Sequence, residues 1–289
     1  MLQSFCGGKL MAKLTGKWAT EVYKDTAFSF KIKKKLYGKR SKYQMVEIFE
    51  TEKHGNLMTL DGCYMVTERE EFVYHDMLAH IPLFAHPNPK NVLVIGGGDG
   101  GTVREIMKHK GVKVIDFVEI DEDVYTVSKK YFPALVKGLE QDKRVRFLFG
   151  DGIKFVKEAK NKYDVILVDS TDPSDISGGL FSSEFFKDVY GALKSDGIMV
   201  MQSEDPFYDG HIISNVQGRL KKLFKQVHLY LAFVPIYPSG CWSFSYASKK
   251  YDPREIRNKH SKIKKFNYYT PELQKAAFSL PQFVKELLK

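Results

Sequence analysis

The sequence predicts an α/β fold, a mostly parallel, doubly wound sheet with a small antiparallel β domain in front of it. Three observations predict it. From residue 91 onward, short β-rich apolar runs alternate with stretches of helical period, the pattern of right-handed βαβ units. Between residue 18 and about residue 67 the runs are short, strand-like and separated only by turn residues, as in an antiparallel meander. The stretch "VLVIGGGDGG" (92–101) runs a strand through a glycine turn into a helix, an arrangement whose bare amides and helix N-terminus suit a nucleotide.

Taken in order, "AFSFKIKKKL", "YQMVEIFET" and "NLMTLDG" are strands, with "YGKRSK" and "EKHG" as turns between them. The lysines of "KIKKK" (31–35) alternate within a strand, so part of it should be a solvent-facing edge. In "REEFVYHDMLAHIPLFAHPNP" the period becomes helical, with Phe72, Val73, Met77, Leu78 and Ile81 apolar, and Pro87 and Pro89 close the segment. This helix bridges an N-terminal β domain, residues 1–68, and a catalytic α/β domain, residues 69–289. Strands follow at "NVLVIG", "KVIDFVEI", "VRFLFG", "DVILVD" and "GIMVMQ". The helices are "TVREIMKHK", "DEDVYTVSKKYF", "GIKFVKEAK", "SSEFFKDVYGALK" and "GHIISNVQGRLKKLF". "VHLYLAFVP" and "CWSFSYAS", joined through "IYPSG", should close the sheet as an antiparallel pair. The basic, aromatic tail from Lys249 holds one helix near "TPELQKAAF", and residues 1–10, ahead of a second methionine at Met11, are expected to be a tail outside the fold.

With 289 residues and 43% hydrophobic content, the chain is long enough for one full α/β domain and a smaller one. It carries 45 Lys and Arg against 35 Asp and Glu, but its lysine runs match no nucleic-acid motif, so a solvated basic exterior is the expectation rather than DNA or RNA binding. Cys6, Cys63 and Cys241 lack the spacing of a zinc site or a redox pair, which implies a reduced, cytoplasmic protein. No apolar run approaches the roughly 18 residues of a membrane span, and no signal-peptide pattern opens the chain.

In an open parallel sheet the ligand lies beyond the carboxyl ends of the strands. Asp99 follows the first of these strands, Glu119 and Asp121 end the second, Asp151 follows the third, and Asp169 and Asp172 follow the fourth in "VDSTDPSD". Each has an ordinary structural use, Asp151 as a helix N-cap and Asp172 as a turn residue before Pro173. Together they form a cleft of uncompensated carboxylates, which repel one another and favour cations. Glu119, about 20 residues past the glycine turn, is spaced to accept hydrogen bonds from a ribose, and Asp151 suits an adenine amino group. Asp99 would repel a pyrophosphate. The ligand is therefore a nucleoside whose remaining part is positively charged.

A sulfonium nucleoside meets that description. "YQ" (43–44), "LDG" (60–62), "EEFVYHDMLAHIPL" (70–83), "VIGGGDGG", "VEID", "GDG", "VDSTDP" and "YPSG" (237–240) resemble the spermidine synthases, the polyamine aminopropyltransferases, from about Trp18 to Ser248. The resemblance implies a methyltransferase-like Rossmann domain behind the small β domain, assembled as a homodimer or homotetramer. It implies that decarboxylated S-adenosylmethionine, a co-substrate rather than a cofactor, is held by Gln44, His75, Gly96, Gly98, Asp99, Glu119, Asp151 and Gly152. It places a diamine acceptor, most commonly putrescine in the family, near Tyr74, Asp99, Asp169, Asp172, Gln202 and Tyr237, with Trp18 at the far end. Asp169 and Tyr74 would be catalytic, and the resemblance calls for no metal. One departure stands out: after "DSTDP" the family continues with a Gly-Pro-Ala-like turn, and this chain has "SDISGGLF" (174–181), which brings in Asp175.

The same fold also serves S-adenosylmethionine methyltransferases. Those must bind a methionine carboxylate, which Asp99 and Asp169 would repel. Cadaverine, agmatine and spermidine stay open as acceptors.

Overall fold

The computed structural model describes residues 16–173, 177–259, 261–263 and 265–289. The expected tail at residues 1–10, with Cys6, and the residue Asp175 lie outside these. Five antiparallel strands come first: β1 (Trp18–Tyr23), β2 (Thr26–Arg40), β3 (Met45–Thr51), β4 (Asn56–Leu60) and β5 (Cys63–Thr67), each paired with the next. The expected turn at 37–42 is mostly strand, because β2 continues to Arg40 and pairs with Met45 across a tight turn. Its lysines occupy a partial edge: β1 covers β2 only as far as Lys31, and beyond that Lys33 and Lys35 pair with Glu50 and Glu47 of β3.

Helix α1 (Phe72–Ala85) links the two sheets and passes through Pro82. Every residue of it except Phe72 is buried, so it serves as an internal strut rather than an amphipathic surface helix. The second sheet then forms with β6 (Asn91–Gly96), α2 (Gly101–Lys108), β7 (Val114–Glu119), α3 (Glu122–Tyr131), β8 (Val145–Phe149), α4 (Gly152–Glu158), β9 (Tyr163–Asp169), α5 (Ser183–Ala192), β10 (Leu193–Gln202), α6 (Gly210–Lys221), β11 (Gln226–Phe233) and β12 (Cys241–Ser248). The strand order is β11-β12-β10-β9-β6-β7-β8, parallel from β10 to β8 and closed by the antiparallel pair β12 and β11. The order reverses between β6 and β9, the switch point where a crevice must open. The fully buried runs of β6, β9 and β10 reflect helices on both faces.

Helices α1 and α2 cover one face, and α4, α5 and α6 the other. A third apolar cluster joins the two sheets. Val46, Ile48, Met58, Leu60 and Val66 of the first pack on Val124, Val127, Phe132 and Leu135 in and after α3. The tail contributes α7 (Pro271–Ala276) where a helix was expected, and a second, α8 (Gln282–Leu287), that the sequence did not announce. Among the described residues no helix is long and apolar enough to cross a membrane.

Away from the crevice, β7 carries a buried ion cluster. Asp116 accepts from Arg146 Nε at 2.5 Å, Tyr163 Oη at 2.6 Å and Lys162 Nζ at 3.0 Å. Although burial opposes its charge, these hydrogen bonds hold its carboxyl below the usual range. Asp116→Ala leaves the buried Tyr163 hydroxyl unpartnered, while the half-exposed Arg146 and Lys162 turn to water, and is expected to lower stability by about 2 kcal/mol. A chemical denaturation midpoint unchanged from that of the parent would contradict this.

Candidate active site

The carboxyl ends of β6, β7 and β9 and the inner face of β4 and β5 enclose a crevice made of two adjoining cavities. Gln44, His75, Gly96, Gly98, Asp99, Glu119, Asp151, Gly152 and Asp169 line the larger one. The smaller is lined by Glu21, Cys63, Tyr64, Asp172, Gln202 and Trp242. Tyr74, Tyr237, Met65, Ser170 and Thr171 belong to both and form the partition.

In the larger cavity the glycine turn is imposed by a close approach of chains. Gly96 has φ +80°, and a Cβ there would stand 2.1 Å from the backbone oxygen of Asp169, so only glycine lets β6 turn beside β9. Gly101 opens α2 so near His75 that a Cβ would lie 2.2 Å from the ring. Asp99 Oδ1 accepts the Gly101 amide at 2.7 Å, which turns the carboxylate at the head of the helix. Glu119 is buried; burial, with the nearby charges of Asp121 and Asp169, raises its pKa to about 7. Asp151 caps α4, as foreseen, by accepting from the Ile153 and Lys154 amides, and it also lines the cavity. Asp121 caps α3 and also accepts from Gln44 Nε2 at 3.0 Å, so it is an orienting group for Gln44.

Asp169, the last residue of β9, has both carboxylate oxygens fixed before any ligand arrives. Tyr74 Oη donates to Oδ1 at 2.8 Å and Thr102 Oγ1 to Oδ2 at 2.6 Å. Burial, and then the charge of Asp99, pushes its pKa up. Tyr74 is buried on α1 with its hydroxyl held neutral by burial and by Asp169.

The smaller cavity is a cage of acids. Burial, and then the charge of Asp172, raises Glu21 to about 7. Behind it lies Glu204: burial, and then the charge of Asp172, push its pKa far up, while burial raises Asp172 to about 6. Gln202 Nε2 donates to Glu204 Oε1 at 3.1 Å, and Glu204 itself has φ +71°, strained for a side chain of its size. Asp209 adds its charge to the cluster while bonded to Tyr23 and Lys24 of the first domain. The far end is thus closed from both domains.

The structure brings every expected site residue except Trp18 to the walls of these cavities. Trp18 opens β1 opposite Lys31 and lines neither cavity; its strand contributes Glu21 instead. Sequence reasoning missed Glu21, Thr102 and Glu204. The rule that looks for acids at strand ends points to Glu204 in "MQSED" just past β10, where only Gln202 was selected. For Glu21 there was no signal, since it comes from another sheet. The 174–181 departure ends in a short turn in which Ser177 and Leu180 line the larger cavity.

A doubly wound sheet whose switch-point crevice is lined by carboxylates defines a Rossmann-like protein with an acidic ligand site. Comparison with known proteins refines that class. Residues 71–259 match the spermine/spermidine synthase domain and residues 17–68 the spermidine synthase tetramerisation domain. The polyamine aminopropyltransferase of Caldicellulosiruptor saccharolyticus is 50% identical over 275 residues, covering 94% of this chain and 98% of the relative. That of Moorella thermoacetica is 45% identical over 277 residues, covering 96% and 98%. A crystal structure of spermidine synthase in complex with the transition-state analogue AdoDATO superposes with a TM-score of 0.89 at 39% identity, covering 97% of this chain and 98% of that one. Spermidine synthase from Thermotoga maritima gives 0.88 at 38% identity, with 97% of each chain covered. The chain belongs to the spermine/spermidine synthase family. Its activity is polyamine aminopropyl transfer.

Proposed function

We propose that the enzyme transfers the 3-aminopropyl group of decarboxylated S-adenosylmethionine to putrescine, forming spermidine and 5′-methylthioadenosine. The observation that carries the acceptor assignment is the small acid cage beyond Tyr74 and Tyr237, which suits a second ammonium at the far end of a short diamine. In this reading Glu119 and Asp151 hold the nucleoside, Asp99 the donor's ammonium, and Glu21 and Asp172 the acceptor's distal one. The acceptor nitrogen forms a bond to the carbon on sulfur, the C–S bond breaks with its electron pair going to sulfur, and the proton shed by nitrogen passes to Asp169. A free alkylamine has a pKa near 10.4, so presenting it unprotonated at pH 7 costs roughly 4 to 5 kcal/mol. The raised pKa of Asp169 narrows the gap to its proton donor, and Tyr74 steadies the carboxylate. The match of residues 17–68 supports a homodimer or homotetramer, and free Cys63 and Cys241 support a reducing, cytoplasmic setting.

The test is a panel of putrescine, cadaverine, agmatine and spermidine with the decarboxylated donor, following product masses. Putrescine is expected to have the highest kcat/KM; a higher value for cadaverine or spermidine overturns the acceptor assignment. Calorimetry should show S-adenosylmethionine itself binding far more weakly than the decarboxylated nucleoside, because its carboxylate meets Asp99.

A further inference from the structure

Asp99 is held by a chain of charges that starts at His75 and Glu71, in the wall of the larger cavity, and runs from there into the fold. His75 Nε2 lies 3.3 Å from Asp99 Oδ1, and His75 Nδ1 lies 2.6 Å from Glu71 Oε2. That same Glu71 oxygen accepts from Arg104 Nη2 at 2.8 Å, and Arg104 is held in turn by Glu105 Oε1 at 2.9 Å. Glu105 is fully buried and pairs with His80 Nε2 at 3.0 Å and with Lys108. An isolated i,i+4 pair such as Glu71 and His75 is ordinary helix chemistry worth little at a surface. Here both partners are buried, and the pair continues into the carboxylate that faces a cationic substrate.

We propose that Glu71 is a positioning residue of the transfer reaction: clamped by Arg104, it keeps His75 a doubly protonated imidazolium that fixes Asp99 for the donor's ammonium. The proposal rests on the assignment of Asp99 to that ammonium. The hydrogen-bond polarity explains why a charge is needed at Glu71. Arg104 donates to Glu71 Oε2, so any group in that place must present an acceptor there, and the His75 nitrogen facing it must carry a proton. A neutral imidazole would then turn a bare Nε2 toward Asp99, acceptor against acceptor. Only the imidazolium presents a proton on both sides, donating to Glu71 and meeting Asp99 at ion-pair distance.

The groups facing His75 are Glu71 on its own helix, Asp99 from the glycine turn, Arg104 from α2 through Glu71, and Asp169 from β9. Burial opposes the imidazolium, but Asp99 and then Glu71 overcome it and raise the pKa well above the usual value. Glu71 is likewise opposed by burial, yet His75 and Arg104 hold it at about 2. Removing the Glu71 charge therefore lowers the pKa of His75, and its proton is lost as pH rises.

The test compares Glu71→Gln, Glu71→Asp and Asp99→Asn with the parent, measuring kcat/KM for decarboxylated S-adenosylmethionine from about pH 6 to about pH 9. For Glu71→Gln the ratio to the parent is expected to fall by about 10-fold or more as pH rises, carried by KM, in the range that misplacement of a binding group produces. Glu71→Asp, which keeps the charge, should give a ratio flat with pH. Methylthioadenosine lacks the ammonium, so its affinity should be unchanged in all three. A pH-independent ratio for Glu71→Gln, with Asp99→Asn still raising the donor KM, overturns the role of Glu71. An unchanged donor KM in Asp99→Asn overturns the assignment beneath it. If Glu71→Gln does not fold, nitrogen NMR of His75 in the parent enzyme decides: both ring nitrogens protonated to about pH 9 is expected, and loss of a proton below about pH 8 overturns the proposal.

Discussion

Asp169→Asn is expected to lower kcat by about 100-fold or more, the scale of a positioned acid–base group, with methylthioadenosine affinity within about twofold of the parent. The substitution preserves shape. Tyr74 and Thr102, whose hydroxyls now donate to the two carboxylate oxygens, can rotate to meet an amide, so the end of β9 should stay in place. What is lost is a carboxylate that lines the larger cavity and accepts from Tyr74 in the partition, and with it the proposed acceptor for the proton released when nitrogen bonds to carbon. Single-turnover measurements with both substrates saturating test this. Turnover near the parent's would move proton acceptance to another group.

The second large effect is a pH dependence of acceptor binding. Glu21, with its pKa near 7, and Asp172, with its pKa near 6, both raised chiefly by burial, are partly protonated below neutrality. A diammonium needs them ionised. Because the pKa values are raised, the anionic cage is complete only at higher pH and is lost as pH falls through about 7. The putrescine KM should therefore rise by about 10-fold or more between about pH 8 and pH 5.5, an effect of the size expected when a bound charge loses its partner. A monoamine such as 1-aminobutane controls for ionisation of the attacking nitrogen, which it shares. If its KM follows the same curve as that of putrescine, the cage does not hold the second ammonium. Glu21→Gln should remove the step near pH 7 and raise the putrescine KM even at about pH 8.

The acids at the strand ends were legible because a parallel sheet delivers each strand's last residue to the same edge. Asp99, Glu119, Asp151 and Asp169 therefore share one crevice. The length of β2, the internal strut α1 and the helix α8 were less so. A lysine-rich strand can be extended by pairing with glutamates of its neighbour, and a helix buried on every side has no amphipathic stripe to announce it.

By itself the sequence determined the doubly wound sheet, through the alternation of apolar periods, and it pointed to a cationic nucleoside, through carboxylates placed where a nucleotide site would want none. Only the tertiary structure decided which carboxylates act together and which carry protons. Glu21 faces Asp172 from a different sheet, and Glu71 reaches Asp99 through His75 while Arg104 holds it from another helix. The reason is physical: strand ends converge by local geometry that every residue's neighbours encode, whereas the pKa of a buried acid depends on desolvation and on charges brought within a few ångströms from distant parts of the chain.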